Sequence, residues 1–111
     1  MAIIKTIPVE KIINGNKVRT SESAIVSEKK YTTNGEYSLV IREVSRCDLY
    51  LNSSTTDKIK IKAMTETLIR PDKGKIDEEW DEILLERGAC IELVNINQGW
   101  YILSSDGLKL W

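Results

Sequence analysis

The amino-acid sequence predicts a mainly β protein, a small β-sandwich or barrel of short antiparallel strands. Apolar and polar residues alternate with period two in several segments. Turn-forming residues separate these segments at short intervals, which is typical of all-β domains. The 111 residues are 41% hydrophobic and 30% charged, the size and composition of one globular domain. We therefore expect a single domain over residues 1–111, with a β core at 37–111.

The N-terminal third has the weakest strand signals. Short apolar segments occupy residues 3–9 and 23–27, and Asn14-Gly15 and Asn34-Gly35 are typical of hairpin turns. Residues 1–36 are therefore predicted to form an arm or edge hairpins beside the core.

Alternation becomes regular from Tyr37 onward. The short polar side chains of residues 52–57 favour turns and predict a loop between paired strands. Pro71 has no backbone N–H and should end a strand. The strands predicted in this part of the chain are 37–42, 47–51, 59–63, 65–70, 90–96 and 99–104.

The C-terminal segments predict a hairpin, because residues 97–99 (Asn-Gln-Gly) suit a short connection between the last two of these strands. A tight turn follows at residues 105–107. Leu108 and Leu110 alternate with Lys109 and Trp111, as in a final short strand.

Residues 76–87 allow two interpretations. Ile76, Trp80, Ile83 and Leu84 have helical spacing, and Gly88 suits a helix end. A short helix at 76–87 is therefore the alternative. The run of apolar residues at 83–85 before a turn favours a buried strand, and we expect the strand.

The composition removes most catalytic chemistry. There is no histidine in the 111 residues, so the commonest general base and metal-ligand nitrogen are missing. No glycine-rich phosphate-binding motif occurs, and Cys47 and Cys90 are too few for a structural zinc site. We expect no enzyme activity, no cofactor and no metal, and two free thiols as in a reducing compartment.

The charge balance also restricts partners. Sixteen basic and seventeen acidic residues give a net charge of −1, so nucleic acid is not expected as a main partner. No run of 18 apolar residues and no signal peptide are present, so neither a membrane span nor secretion is expected.

Two charged stripes are candidate partner-binding sites. Lys58, Lys60 and Lys62 should project from one face of a strand, where they either protect a sheet edge from aggregation or dock onto an acidic protein surface. The acidic residues of 77–86 lack the spacing of a calcium loop and predict a solvated or partner-facing surface rather than a metal site. The candidates there are Glu78, Glu79 and Glu82.

The tryptophans divide by position. Trp100 lies inside a predicted hairpin strand and should belong to the core. Trp111 ends the chain, where a large apolar ring is a candidate interface anchor.

Three segments resemble β-rich structural proteins of tailed bacteriophage particles: residues 74–77 (GKID), 88–94 (GACIELV) and 99–107 (GWYILSSDG). Such a strand, Gly-Trp turn, strand and Ser-Asp-Gly turn is similar to the end of head-decoration and fibre modules. The resemblance covers about residues 47–107. The composition, rich in Lys, Ile and Asn, is similar to that of auxiliary capsid proteins of crass-like phages.

The resemblance implies a role without catalytic residues. We expect an auxiliary capsid or decoration protein that is made in the host cytoplasm and binds the major capsid protein or other virion proteins on the exterior of a phage head. The alternatives are a trimeric head-fibre or tail-spike module, in which three copies form a joint core, and a carbohydrate- or peptide-binding β module with exposed aromatic rings.

Overall fold

The computed structural model describes the backbone of residues 3–5, 9–13 and 16–21 and all of residues 23–107. These residues form twelve strands and no helix. In chain order the strands are β1 (Ile3–Lys5), β2 (Val9–Ile13), β3 (Asn16–Ser21), β4 (Ser23–Val26), β5 (Lys30–Thr32), β6 (Ser38–Ile41), β7 (Arg46–Leu51), β8 (Lys58–Ala63), β9 (Glu66–Pro71), β10 (Ile83–Leu85), β11 (Cys90–Ile96) and β12 (Gly99–Asp106).

Two sheets make up most of the fold. Sheet 1 has six strands in the order β1-β4-β6-β8-β11-β12, and sheet 2 has four strands in the order β10-β9-β7-β5. β2 and β3 form a separate antiparallel pair. The mainly β class is confirmed. Neither sheet closes into a barrel.

The centre of the molecule is a stack of three coils, each of which gives one strand to each sheet. β4, β6 and β8 pair in parallel in sheet 1, and β5, β7 and β9 pair in parallel in sheet 2. The chain therefore crosses between the sheets at the end of each strand. Antiparallel strands close the stack: β10 beside β9, and the β11–β12 hairpin beside β8.

This pairing corrects three expectations. The central strands of both sheets pair in parallel, whereas a fold of short antiparallel strands was expected. Residues 52–57 do not join a hairpin, because β7 and β8 lie in different sheets. Residues 23–36 are not an arm or edge hairpin, because β4 and β5 form the first coil of the stack. Parallel strands are usually buried on both faces, and alternation is typical of antiparallel sheets. Here the parallel strands belong to sheets that leave one face in water, so apolar and polar residues alternate along them as they do in antiparallel strands.

One apolar core lies between the two sheets. It contains inward-facing residues of sheet 1, such as Leu39, Ile61 and Leu93, and of sheet 2, such as Leu49 and Ile69. All five are at most 1% exposed. Burial of these side chains is the main favourable contribution to folding, at roughly 1.5–3 kcal/mol for each large one.

A buried polar network joins neighbouring coils at one corner of the stack. Thr56 Oγ1 donates to Thr33 Oγ1 at 3.0 Å and accepts from the Gly35 N–H at 3.0 Å. The Asn52 N–H donates to Thr33 Oγ1 at 2.9 Å. Thr33 and Thr56 are both almost completely buried. These bonds satisfy polar groups that a turn between sheets would otherwise leave unpaired.

The predicted hairpin at residues 97–99 is confirmed. Ile96 pairs with Gly99, and Asn97 and Gln98 between them have φ values of 51° and 68°. Two central residues with positive φ are the signature of the tight turn that suits the twist of a hairpin. β12 continues to Asp106, two residues beyond the predicted end.

The helix considered for residues 76–87 does not form. Asp77 and Glu78 have φ values of 53° and 61°, which no right-handed helix contains. Ile76 is fully buried and bridges to Trp80 and Trp100. The segment therefore forms a surface loop that places Ile76 in the core, and the expected strand is present as β10.

Trp100 is fully buried, so its predicted place in the core is confirmed. Both cysteines are free. Cys47 lies in the core on β7, whereas Cys90 alternates with buried Ile91 and faces outward on β11. The two thiols thus lie on different sides of sheet 1. The expected strand at residues 108–111, and Trp111 with it, lie outside the described residues.

Candidate docking surface

The outer face of sheet 1 carries the predicted lysine row. Along β8, Lys58, Lys60 and Lys62 are exposed and alternate with buried Ile59 and Ile61. The row is therefore real, with a spacing of about 7 Å between neighbouring Cα atoms of the row. We call this side of sheet 1 the lysine face.

Edge protection does not explain these lysines. β8 is an interior strand that pairs with β6 on one side and β11 on the other. Lysines discourage aggregation where a strand has an open edge, and β8 has none. The structure therefore contradicts the edge interpretation and places the row on the solvent-exposed face of an interior strand; docking onto an acidic protein surface stays a prediction.

The residues beside the row come from adjacent strands. Lys60 lies opposite Ser38 on β6 and Glu92 on β11. Lys62 lies opposite Val40 and Cys90 on the same two strands. These side chains point away from the core because they alternate with buried positions.

A shallow groove of about 410 Å³ crosses the lysine face from β6 to β12. Its lining includes Val40, Lys60, Lys62, Cys90 and Glu92, and Ser104 and Asp106 on the β12 side. The groove was not predicted, since alternation assigns a residue to a face but does not tell which strands are neighbours.

The two central ammonium groups turn in different directions. Lys60 Nζ lies 5.5 Å from the centre of the Tyr37 ring, a cation–π distance. Lys62 Nζ donates to the Gly88 carbonyl oxygen at 2.8 Å. Tyr37 precedes β6, which is parallel to β8, and Gly88 precedes β11, which is antiparallel to it, so the two ammonium groups point toward opposite ends of β8. The methylene stems of both lysines contribute to the walls of the groove.

The lysine face holds no ion pair among the described residues. Every ion pair recorded within residues 23–107 lies elsewhere, in loops or on the outer face of sheet 2. On sheet 2, Arg46 lies 3.6 Å from Asp48 and 3.5 Å from Glu66. The two outer faces thus differ: Arg46 and Arg70 of sheet 2 have acidic partners, and the lysines of β8 have none in the described part of the chain.

The acidic candidates are largely engaged within the chain. Glu78 Oε2 accepts a hydrogen bond from the Tyr101 hydroxyl at 2.8 Å, which raises the pKa of that hydroxyl. Glu82 Oε1 accepts from Arg70 Nε at 3.0 Å, and this bond raises the pKa of Arg70. Glu79 is exposed. The three carboxylates therefore do not form one free surface.

Two neighbouring carboxylates accept hydrogen bonds within the chain. Asp77 Oδ1 accepts from the Ile102 backbone N–H at 2.9 Å. Asp81 Oδ1 accepts from Lys75 Nζ at 2.7 Å. No group of three His, Cys, Asp or Glu side chains in the described part of the chain could hold a metal ion.

Three aromatic residues in the described part of the chain are poorly placed for a stacking platform. Trp100 is fully buried, and Trp80 is half-buried against the core. Tyr37 is 39% exposed, but Lys60 occupies one side of its ring. These positions do not favour the carbohydrate-binding alternative.

The described residues contain no helix that is long and apolar enough to cross a membrane. Comparison of the sequence with known protein families and with curated proteins finds no match. The functional interpretation therefore depends on the geometry described above and on the resemblance of the three C-terminal segments.

Proposed function

We propose that this chain is a non-enzymatic structural protein that binds the major capsid protein lattice on the exterior of a phage head. The observation that carries the proposal is the lysine face: a broad sheet surface whose interior strand exposes three lysines without acidic partners. The resemblance of about residues 47–107 to head-decoration and fibre modules supplies the biological setting.

The fold suits a static binding role. Backbone hydrogen bonds continue past the strand ends at both corners of the stack, as from Arg42 N to Val26 O and from Asp72 N to Leu51 O, at 2.9 and 3.0 Å. The buried bonds between Thr33 and Thr56 tie one coil to the next. A surface held in this way loses little conformational entropy when a partner binds.

The test is loading onto capsids. Purified heads that lack the protein are mixed with the tagged chain, sedimented, and the ratio of this chain to major capsid protein is read from a gel. Saturation at a fixed ratio is the expected result. Failure to sediment with heads at any concentration overturns the proposal.

A trimeric head-fibre or tail-spike module is the second candidate. The observation that favours it is the parallel stacking of coils, because stacked-coil architectures extend by repetition along one axis. Sedimentation equilibrium of the isolated chain separates the two: a monomer of 12.6 kDa supports decoration, and a stable species of three times that mass supports the fibre.

A further inference from the structure

We propose that the groove of the lysine face binds an extended acidic segment of a partner protein, in which an apolar side chain lies between carboxylates. The inference rests on the proposed function and names the surface and the chemistry of the partner. It assigns docking to β8 and its neighbours rather than to the acidic residues of 77–86.

The lysines of β8 differ from several other charged side chains in that they form no ion pair with another described residue. Several carboxylates of the described residues form ion pairs with cations of the chain, as Asp48, Asp81 and Glu82 do. On the lysine face, Lys60 Nζ contacts the Tyr37 ring and Lys62 Nζ a carbonyl oxygen, and Lys60 forms no ion pair with Glu92, which lies opposite it on β11. Both contacts are replaceable, so the ammonium groups can turn to carboxylates of a partner at small cost.

The groove combines a partly apolar floor with charged side chains. Val40 and Cys90 face each other across Lys62 on the neighbouring strands and give its floor an apolar part. The ammonium groups of Lys60 and Lys62 point toward opposite ends of β8. A segment that matches both features places a small apolar side chain in the groove and a carboxylate near each ammonium group.

The acidic residues of the groove restrict which side of the bound segment can carry carboxylates. Glu92 and Asp106 line the β11–β12 side, and Glu92 Oε1 accepts from the Ser104 hydroxyl at 3.3 Å. Carboxylates of a partner are repelled there and attracted along β8 and toward β6. The expected segment is therefore acidic on one side only, which also disfavours a uniformly charged polyanion such as nucleic acid.

A second copy of this chain is a poorer occupant. Its densest acidic segment, residues 77–86, would have to release Glu78 from Tyr101 and Glu82 from Arg70 before it could bind. A different protein with a free acidic segment has no such cost. The major capsid protein of the proposed function is the partner to which the test applies.

The loading assay tests the surface directly. Lys60→Glu with Lys62→Glu should lower occupancy on heads at least tenfold, since loss of central interface contacts costs this much or more. The matched control is Lys29→Glu with Lys30→Glu, the same charge change at exposed positions on the β5 side. This control should load to the wild-type ratio.

The outcomes separate the two proposals. If the wild-type chain does not load, the proposed function fails. If it loads and the Lys60/Lys62 variant loads equally well, the proposed function stands and this inference is wrong. Circular dichroism of each variant verifies that it is folded, and Lys60→Gln with Lys62→Gln provides a milder variant should the charge reversal unfold the chain.

A peptide probe tests the chemistry without capsids. We expect a synthetic peptide with one leucine between glutamates to shift the amide resonances of residues 58–62 and to slow alkylation of Cys90. The same peptide with glutamines should bind at least tenfold more weakly, and 0.5 M salt should weaken the acidic peptide because it screens exposed charges. Equal binding of the two peptides, binding of neither, or tighter binding of a short single-stranded DNA contradicts the proposal.

Discussion

Replacement of Trp100 by alanine should remove a large part of the stability of the fold. The side chain is fully buried between the β11–β12 hairpin and the loop that carries Ile76. A buried tryptophan covers roughly 200 Å², which at about 25 cal/mol per Å² corresponds to ~5 kcal/mol. Partial collapse of the cavity reduces this value, and we expect a loss of ~3–5 kcal/mol. Domains of this size have a total stability of roughly 5–15 kcal/mol.

Two further variants sharpen this prediction. The indole Nε1 of Trp100 is buried without a hydrogen bond of good geometry, although its proximity to Asp72 helps to lower the pKa of that carboxyl. Partial burial is the largest single influence and by itself raises the pKa of Asp72, but the hydrogen bonds from Ser53, Trp100 and the Asp72 backbone N–H together lower it. Trp100→Phe therefore loses packing but no strong bond and should cost only ~1–2 kcal/mol. Trp80→Ala, at a half-buried ring, should also cost less than Trp100→Ala.

The measurement is urea unfolding followed by circular dichroism, which does not depend on tryptophan fluorescence. The midpoint should fall in the order wild type, Trp100→Phe, Trp100→Ala at an unchanged slope. A loss below 1 kcal/mol for Trp100→Ala would show that the ring is not part of the core and would refute the packing described here.

Three other changes test separate features of the structure. Gln98→Gly should raise stability by ~0.5–1 kcal/mol in thermal melts, because glycine adopts positive φ without a Cβ clash; an unchanged melting temperature contradicts the turn geometry. Thr56→Val should lower stability by ~1–3 kcal/mol, since it removes the hydrogen bonds that Thr56 forms with the part-buried Gly35 N–H and with the buried Thr33 hydroxyl; a neutral effect argues against the network. Burial, with smaller contributions from nearby acids, raises the pKa of Cys47 from 9.0 to about 11. The folded state thus binds the thiol proton more strongly than the unfolded state does. The resulting contribution to the free energy of unfolding is complete below pH 9 and is lost as the pH rises through about 11. Relative to Cys47→Ala, the wild type should lose about 1–3 kcal/mol over that interval, and parallel pH profiles of the two proteins contradict the burial.

Much of the secondary structure was predictable from the sequence. The alternation at residues 47–51 and 59–63 corresponds to β7 and β8, and Pro71 ends β9 as expected. The helical spacing at 76–84 was misleading, because Ile76 and Trp80 are brought together by a loop with two positive-φ residues rather than by helical turns. Periodicity alone does not distinguish these two arrangements over so short a segment.

The candidate site was predictable in part. The sequence showed that Lys58, Lys60 and Lys62 share a face. It did not show that Val40 and Cys90 lie beside Lys62, because they are 22 and 28 positions away in the chain and meet only through sheet pairing. Likewise, Tyr101, whose hydroxyl donates a hydrogen bond to Glu78, lies 23 positions away in the chain. No local sequence pattern therefore predicts this bond.

The sequence by itself determined the class of structure, the side of each strand that faces the core, and the tight turn at residues 97–99, because these depend on neighbours along the chain. Only the tertiary structure decided which strands pair, that the central pairs are parallel, and that β8 is interior rather than an edge. The physical reason is that a half-buried strand has the same alternation whether its neighbour runs parallel or antiparallel. The choice depends on contacts such as those between Thr33 and Thr56, which form only when distant coils are stacked.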